Sequence, residues 1–178
     1  MLKKTHWELF FFVPYFIKKY FDKKRFSENK NIKIIFYNFT PIEGFEFFNY
    51  FCFEQNLGMP RNHNVLATSL MLSLSLNFKK IYLAGADHSW LKDIFVTDNN
   101  MVLLTQKHFY DEKTAKAEPM AKLGKGERKL YEILEKFTLT FKSYFKIKKY
   151  SKKRNSIIIN ITPNSYIDAF ERINKNDI

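Results

Sequence analysis

Apolar positions along the chain fall into runs with different periods, and each run predicts an element. In residues 62–76, Val65, Leu66, Ala67, Leu70, Met71, Leu72, Leu74 and Leu76 cover most of a helical circumference. That pattern predicts a helix buried on more than one side. Asn77-Phe78-Lys79-Lys80 then turns the chain into Ile81-Tyr82-Leu83-Ala84, a short β-rich run suited to a sheet covered on both faces. Residues 32–37 (IKIIFY) predict an earlier strand and residues 156–161 (SIIINI) a later one. Between the last two strands, Leu130, Ile133, Leu134, Phe137, Phe141, Tyr144 and Phe145 form one stripe with lysines opposite, which predicts an amphipathic helix over 127–150.

Weaker patterns fill the intervals. WELFFFVPYFIKKYF, residues 7–21, reads as an aromatic helix kinked or started at Pro14 and packed on the sheet. Thr40 and Glu43 have capping-box spacing, so a helix is expected over 41–54. Residues 95–97 and 101–104 flank Asp98-Asn99-Asn100 as a hairpin. Residues 105–126 have no period and read as a lid, and 166–173 as a short terminal helix. Together these predict an α/β fold with a Rossmann-like parallel sheet core (βαβαβ) flanked by helices. The division is a helical lead-in over 1–31, a strand-helix-strand core over 32–104, the lid over 105–126 and helix-strand-helix over 127–178, all within one domain.

Composition narrows this only modestly. With 178 residues, 20 Phe and 5 Gly the chain is globular and long enough to bury a core. A formal charge of +12 attracts anions, whether nucleic acid, anionic lipid or a phosphorylated substrate. The pairs and triplets Lys18-Lys19, Lys23-Lys24-Arg25, Lys148-Lys149 and Lys152-Lys153-Arg154 lie near helix ends and also read as solvated faces. Nucleic acid is not expected as a partner, because the aromatics fall at core spacing and not between basic residues as a stacking platform requires. Cys52, flanked by Phe51 and Phe53, is the single cysteine and reads as a buried thiol, which excludes an intrachain disulfide. Without a signal peptide or an apolar run long enough for a bilayer, the chain reads as cytoplasmic and able to touch the inner face of the membrane.

Candidate chemistry gathers at strand ends. Asn38 and Thr40 follow the first strand, Gly85, Asp87 and His88 the second, and Asn160, Thr162, Asn164 and Ser165 the third. In a parallel sheet these carboxyl ends share an edge, so three loops are expected to converge there. His88 or His108 is the candidate base for a hydroxyl nucleophile. The plainer alternative is that Gly85 permits a turn, Asp87 caps the next segment and the histidines are structural. No HxxxH or HxH pair, GxGxxG or Walker motif occurs, and neither a metal nor a cofactor is expected.

The block from Arg61-Asn62 through the helix to Phe78-Lys79-Lys80-Ile81-Tyr82-Leu83-Ala84-Gly85-Ala86-Asp87, followed by Ile161-Thr162-Pro163-Asn164-Ser165, resembles the bacterial sialyltransferases of glycosyltransferase family 42. It also resembles the related domain of unknown function 115. The resemblance implies metal-independent transfer of a sugar from a cytidine-monophosphate donor to a glycan hydroxyl, with a histidine base and tyrosines on the leaving phosphate. It places donor contacts on Arg61, Asn62, Asn64 and Val65, and the family aspartate on Asp87. The family tyrosine falls on Ser89, leaving Tyr110 as the replacement from the lid. The family histidine falls in residues 121–128, which hold none, so His88 or His108 takes its part. It further implies a glycine-containing first strand upstream of Met1, so the chain is expected to be N-terminally truncated.

The expectation is thus a sialyltransferase-like protein of surface polysaccharide or lipopolysaccharide synthesis, active or an inactive fragment, with a nucleotide-sugar donor and a glycan acceptor as partners, alone or as an oligomer. Asp87, His88 and His108 are its catalytic candidates. Asn38, Arg61, Asn62, Asn64, Gly85, Tyr110, Thr162, Asn164 and Ser165 are its donor-binding candidates. The alternative is a non-catalytic protein that meets a membrane surface or a partner through a basic aromatic face.

Overall fold

The computed structural model describes residues 4–20, 29–61, 63–105, 116–122 and 125–174. The backbone divides into two compact units, Met1–Arg61 and Asn62–Ile178. Together they make a mixed α/β protein of several small sheets.

In the first unit, β1 (Leu9–Pro14) runs parallel to β2 (Ile32–Tyr37), from Leu9 opposite Ile32 to Pro14 opposite Tyr37. Residues 9–14 of the expected aromatic helix are therefore a strand. The run LFFFV is β-prone and carries no helical period, and only Tyr15–Tyr20 forms a short 3₁₀ turn after Pro14.

The helix expected from residue 41 begins later. Pro41–Ile42 is β3 and pairs in parallel with β4 (Met59–Pro60), while α1 spans Glu46–Glu54 between them. The residues of the expected capping box are engaged elsewhere. Thr40 donates both its N–H (3.1 Å) and its hydroxyl (2.6 Å) to Asn38 Oδ1, and the Glu43 carboxylate receives both Nε and Nη2 of Arg61 at 3.1 Å. The helix buries Asn49, Cys52 and Phe53, so the thiol lies inside as its neighbours implied.

In the second unit, α2 (Val65–Ser75) opens on Asn64, whose Oδ1 accepts the Ala67 N–H at 3.0 Å. Its buried residues, Ala67, Thr68, Leu70, Met71 and Leu74, lie on one side, and Val65 is 78% exposed, so burial is narrower than the apolar count implied. Asn77, in the left-handed region at φ 66°, reverses the chain into β5 (Lys80–Leu83). An antiparallel sheet follows, β6 (Ile94–Val96), β7 (Val102–Thr105) and β8 (Ala117–Pro119), with β9 (Ala121–Lys122) and β10 (Gly126–Glu127) as a small pair after it. Residues 106–115 and 123–124 of the expected lid lie outside the described residues; its described remainder includes β8 to β10.

The 24-residue α3 (Leu130–Lys153) matches the long apolar stripe. Glu132 fixes its start, taking the Lys129 N–H at 2.8 Å and pairing with Lys122 at 2.5 Å, and Lys152 and Lys153 complement the dipole at its end. Ile133 and Phe137 pack with Val102 and Leu104 of β7. Beyond α3, β11 (Ile157–Asn160) lies between β5 and β12 (Glu171–Arg172), parallel to both.

Two expectations change here. Strand β2 pairs with β1 and β5 with β11, so the first crossover, from residues 32–37 to 81–84, does not close within one sheet. Residues 166–173 form no helix, because local side-chain bonds hold them otherwise. Ser165 Oγ accepts the Ile167 N–H at 3.2 Å, Asn160 Nδ2 donates to Ile167 O at 3.4 Å, and Arg172 Nη2 donates to the carbonyls of Ser165 and Ile167.

Candidate functional site

The second unit holds a cleft of about 770 Å³ between the exit of β5, the start of α2 and the middle of α3. Its floor is the run from Ala84 to Trp90. Gly85 has φ +71°, and an added Cβ there would meet nothing within 4 Å, so the position needs glycine for its backbone and not for space. His88 is itself left-handed at φ 54°, which turns its ring inward.

Three side chains meet behind this floor. His88 Nε2 lies 2.6 Å from Tyr144 Oη and 3.2 Å from Asn64 Nδ2, and Asn64 Nδ2 donates to Tyr144 Oη at 2.7 Å. Because Asn64 Oδ1 already caps α2, its amide orientation is set and the nitrogen can only donate towards the other two. His88 Nε2 must therefore be the acceptor, with its ring proton on Nδ1, and the Tyr144 hydroxyl donates to it. Burial pulls the imidazole down to about 4 against the opposing charge of Asp87. Burial also pushes the Tyr144 phenol up to about 12, against the Asn64 bond. All three groups are consequently neutral at pH 7. Trp90 covers the imidazole with ring centroids 4.1 Å apart and stacks on Phe137 at 5.3 Å.

Asn64→Ala is expected to cost about 2 kcal/mol, combining a lost cap with the lost amide donation to the buried Tyr144 hydroxyl. Chemical denaturation measures it. Asn64→Asp should keep the cap and raise the His88 pKa, which NMR titration of the ring would detect.

Charge enters the cleft on other residues. The Asp87 carboxylate is exposed and accepts the Ser89 hydroxyl at 2.5 Å and its N–H at 3.3 Å. The hydroxyl bond is the chief cause that holds its pKa below the usual range, against the effect of burial. Asp87 thus makes the local turn contact expected of a capping residue while remaining an ionised group at the cleft. Lys92 and Lys136 line the same space. Burial first, then Arg128, draws the Lys136 ammonium pKa down, and Glu132 opposes them.

Of the candidates chosen from sequence, Asn64, Gly85, Asp87 and His88 are brought together here. Thr162 and Ser165 lie behind the floor. Thr162 Oγ1 receives the Ala86 N–H at 3.1 Å and donates to Leu83 O at 3.3 Å, while Ser165 Oγ donates to Ala86 O at 2.6 Å. Their hydroxyls tie the two strand exits together and are not among the groups that line the cleft. Asn164 occupies an exposed left-handed turn, φ 53°. Asn38 and Arg61 belong to the first unit, with Thr40 and Glu43 as their partners. Asn62, His108 and Tyr110 lie outside the described residues.

Tyr144, Trp90, Lys92 and Lys136 were not singled out by sequence. Tyr144 sat within an apolar stripe, and its signal was chemical: a fully buried phenol requires a hydrogen-bond partner. Among the described residues no cluster of His, Cys, Asp or Glu could hold a metal ion, and no helix is long and apolar enough to cross a membrane. Comparison with known proteins returns no relative: no protein-family model, no curated protein and no solved structure matches the chain.

Proposed function

We propose that the second unit is a glycosyltransferase-like domain that takes a nucleotide-sugar donor in the cleft and passes its sugar to a glycan hydroxyl. The observation that carries the reading is the meeting, at one cleft of about 770 Å³, of the β5 exit corner with an ionised Asp87, an aromatic wall at Trp90 and the cations Lys92 and Lys136. The volume suits a ligand of that size, and ligand groups at the carboxyl end of a parallel strand are the arrangement of a Rossmann-like layout, here a small parallel sheet of β5, β11 and β12.

In the proposed step the acceptor oxygen attacks the anomeric carbon and gives up its proton to the Asp87 carboxylate. The bond from the anomeric carbon to the phosphate oxygen breaks, and the nucleotide leaves with the electron pair beside Lys92 and Lys136. His88, with Nε2 occupied by Tyr144 and a depressed pKa, is a positioning residue in this reading and not the base expected from sequence.

Calorimetric titration with cytidine- and uridine-based sugar donors tests binding, and release of free nucleotide tests transfer to water or to an acceptor. The expected result is saturable binding below about 1 mM, weakened about tenfold by Lys136→Ala, with turnover lost in Asp87→Asn. Absence of binding and of nucleotide release with every donor would overturn the proposal.

A further inference from the structure

The first unit carries a surface that the cleft chemistry does not use. The 3₁₀ turn Tyr15–Tyr20 has no buried residue. Tyr15, Phe16 and Tyr20 are 57%, 64% and 76% exposed, where large apolar rings are ordinarily covered. Lysines are interleaved with them in a defined way. Lys18 Nζ sits 4.8 Å from the Tyr15 ring centroid and 5.4 Å from that of Phe36 on β2, and Lys19 Nζ sits 4.7 Å from that of Tyr20. Tyr15 and Phe36 meet edge to face at 6.3 Å, which makes the group continuous across the turn and the strand.

We infer that this aromatic and lysine patch is a docking surface for an anionic lipid bilayer. Two properties select that occupant. Exposed rings lie beside ammonium groups, the mixture that the boundary between acyl chains and charged headgroups accepts: the rings enter the boundary and the lysines face lipid phosphates and carboxylates. One face each of Tyr15 and Tyr20, on which a nucleic acid base would stack, is already taken by Lys18 and Lys19, which disfavours a single-stranded nucleic acid. The formal charge of +12 adds long-range attraction of the same sign. The patch lies wholly within the first unit, so the inference stands independently of the proposed transferase.

Sedimentation with vesicles of phosphatidylcholine alone, and of phosphatidylcholine with added phosphatidylserine, tests it on the full chain. At about 0.1 M salt, binding to the anionic vesicles is expected to be at least about tenfold tighter than to the neutral ones and to weaken as salt rises. Phe16→Ser with Tyr20→Ser, at exposed positions that leave the melting temperature unchanged, should reduce binding to the anionic vesicles about tenfold, and Lys18→Glu with Lys19→Glu by at least as much. Three outcomes would each overturn the inference: no preference for anionic vesicles, full binding by the Phe16→Ser/Tyr20→Ser variant, or displacement of vesicles by a single-stranded oligonucleotide bound more tightly at the patch.

Discussion

Replacing Gly58 by alanine is expected to destabilise the first unit by about 3 kcal/mol, a large share of what a unit of this size possesses. A Cβ at Gly58 would lie 2.1 Å from the carbonyl oxygen of Thr40 and 2.8 Å from Ile42 Cγ1. Neither neighbour is free to yield. The Thr40 oxygen accepts the Met59 N–H at 3.0 Å, and Ile42 belongs to the β3–β4 pair that brackets α1. Relief of the clash therefore opens that pair. Hydrogen exchange at Met59 and at the amides of α1 reads the effect directly, and unchanged protection in Gly58→Ala would show that the backbone gives way without loss.

Acid is expected to remove at most about 3 kcal/mol from the second unit through His88 alone. The folded pKa, about 4, lies below the ordinary 6.5, so the unfolded chain binds the extra proton first. The stabilisation from keeping the ring neutral is complete above pH 6.5 and is lost as pH falls from there towards 4. Burial among Trp90, Phe141 and Tyr144 produces this, and the Asp87 carboxylate on its own loop reduces it. In His88→Asn, whose side chain tolerates the left-handed backbone and does not titrate, the loss of unfolding free energy over that window should be correspondingly smaller. Parallel pH profiles for parent and variant, followed by exchange at Ile158 and Ile159, would refute the assignment.

Periodicity located α2, β5, α3 and β11, because each has a buried face that imposes its period on the chain, and the Asp98-Asn99-Asn100 turn located the β6–β7 hairpin. It failed where short-range bonds or strand pairing decide the structure. Residues 9–14 are apolar at nearly every position and so show no period; their partner, β2, lies beyond the next turn. The spacing of Thr40 and Glu43 fits a capping box, but Asn38 and Arg61 claim both side chains. In the C-terminal stretch, Ser165, Asn160 and Arg172 bind carbonyl and amide groups that a helix would have needed. At the cleft, the Gly85–Asp87 corner was visible as a break after a β-rich run. Tyr144 was hidden because an aromatic in a core stripe looks alike whether or not its hydroxyl is engaged.

The bond from Asn64 to Tyr144 spans 80 residues, and the ladder between β5 and β11 joins segments nearly as distant. Closing chain loops of that length is entropically slow compared with forming a helix or hairpin. The order of events follows. Helices α2 and α3 and the β6–β7 hairpin can form from local contacts, whereas the cleft exists only after the two ends of the second unit have met. Seating of the His88 ring between Tyr144 and Trp90 thus depends on those long closures, and a probe of that ring reports when the cleft has formed.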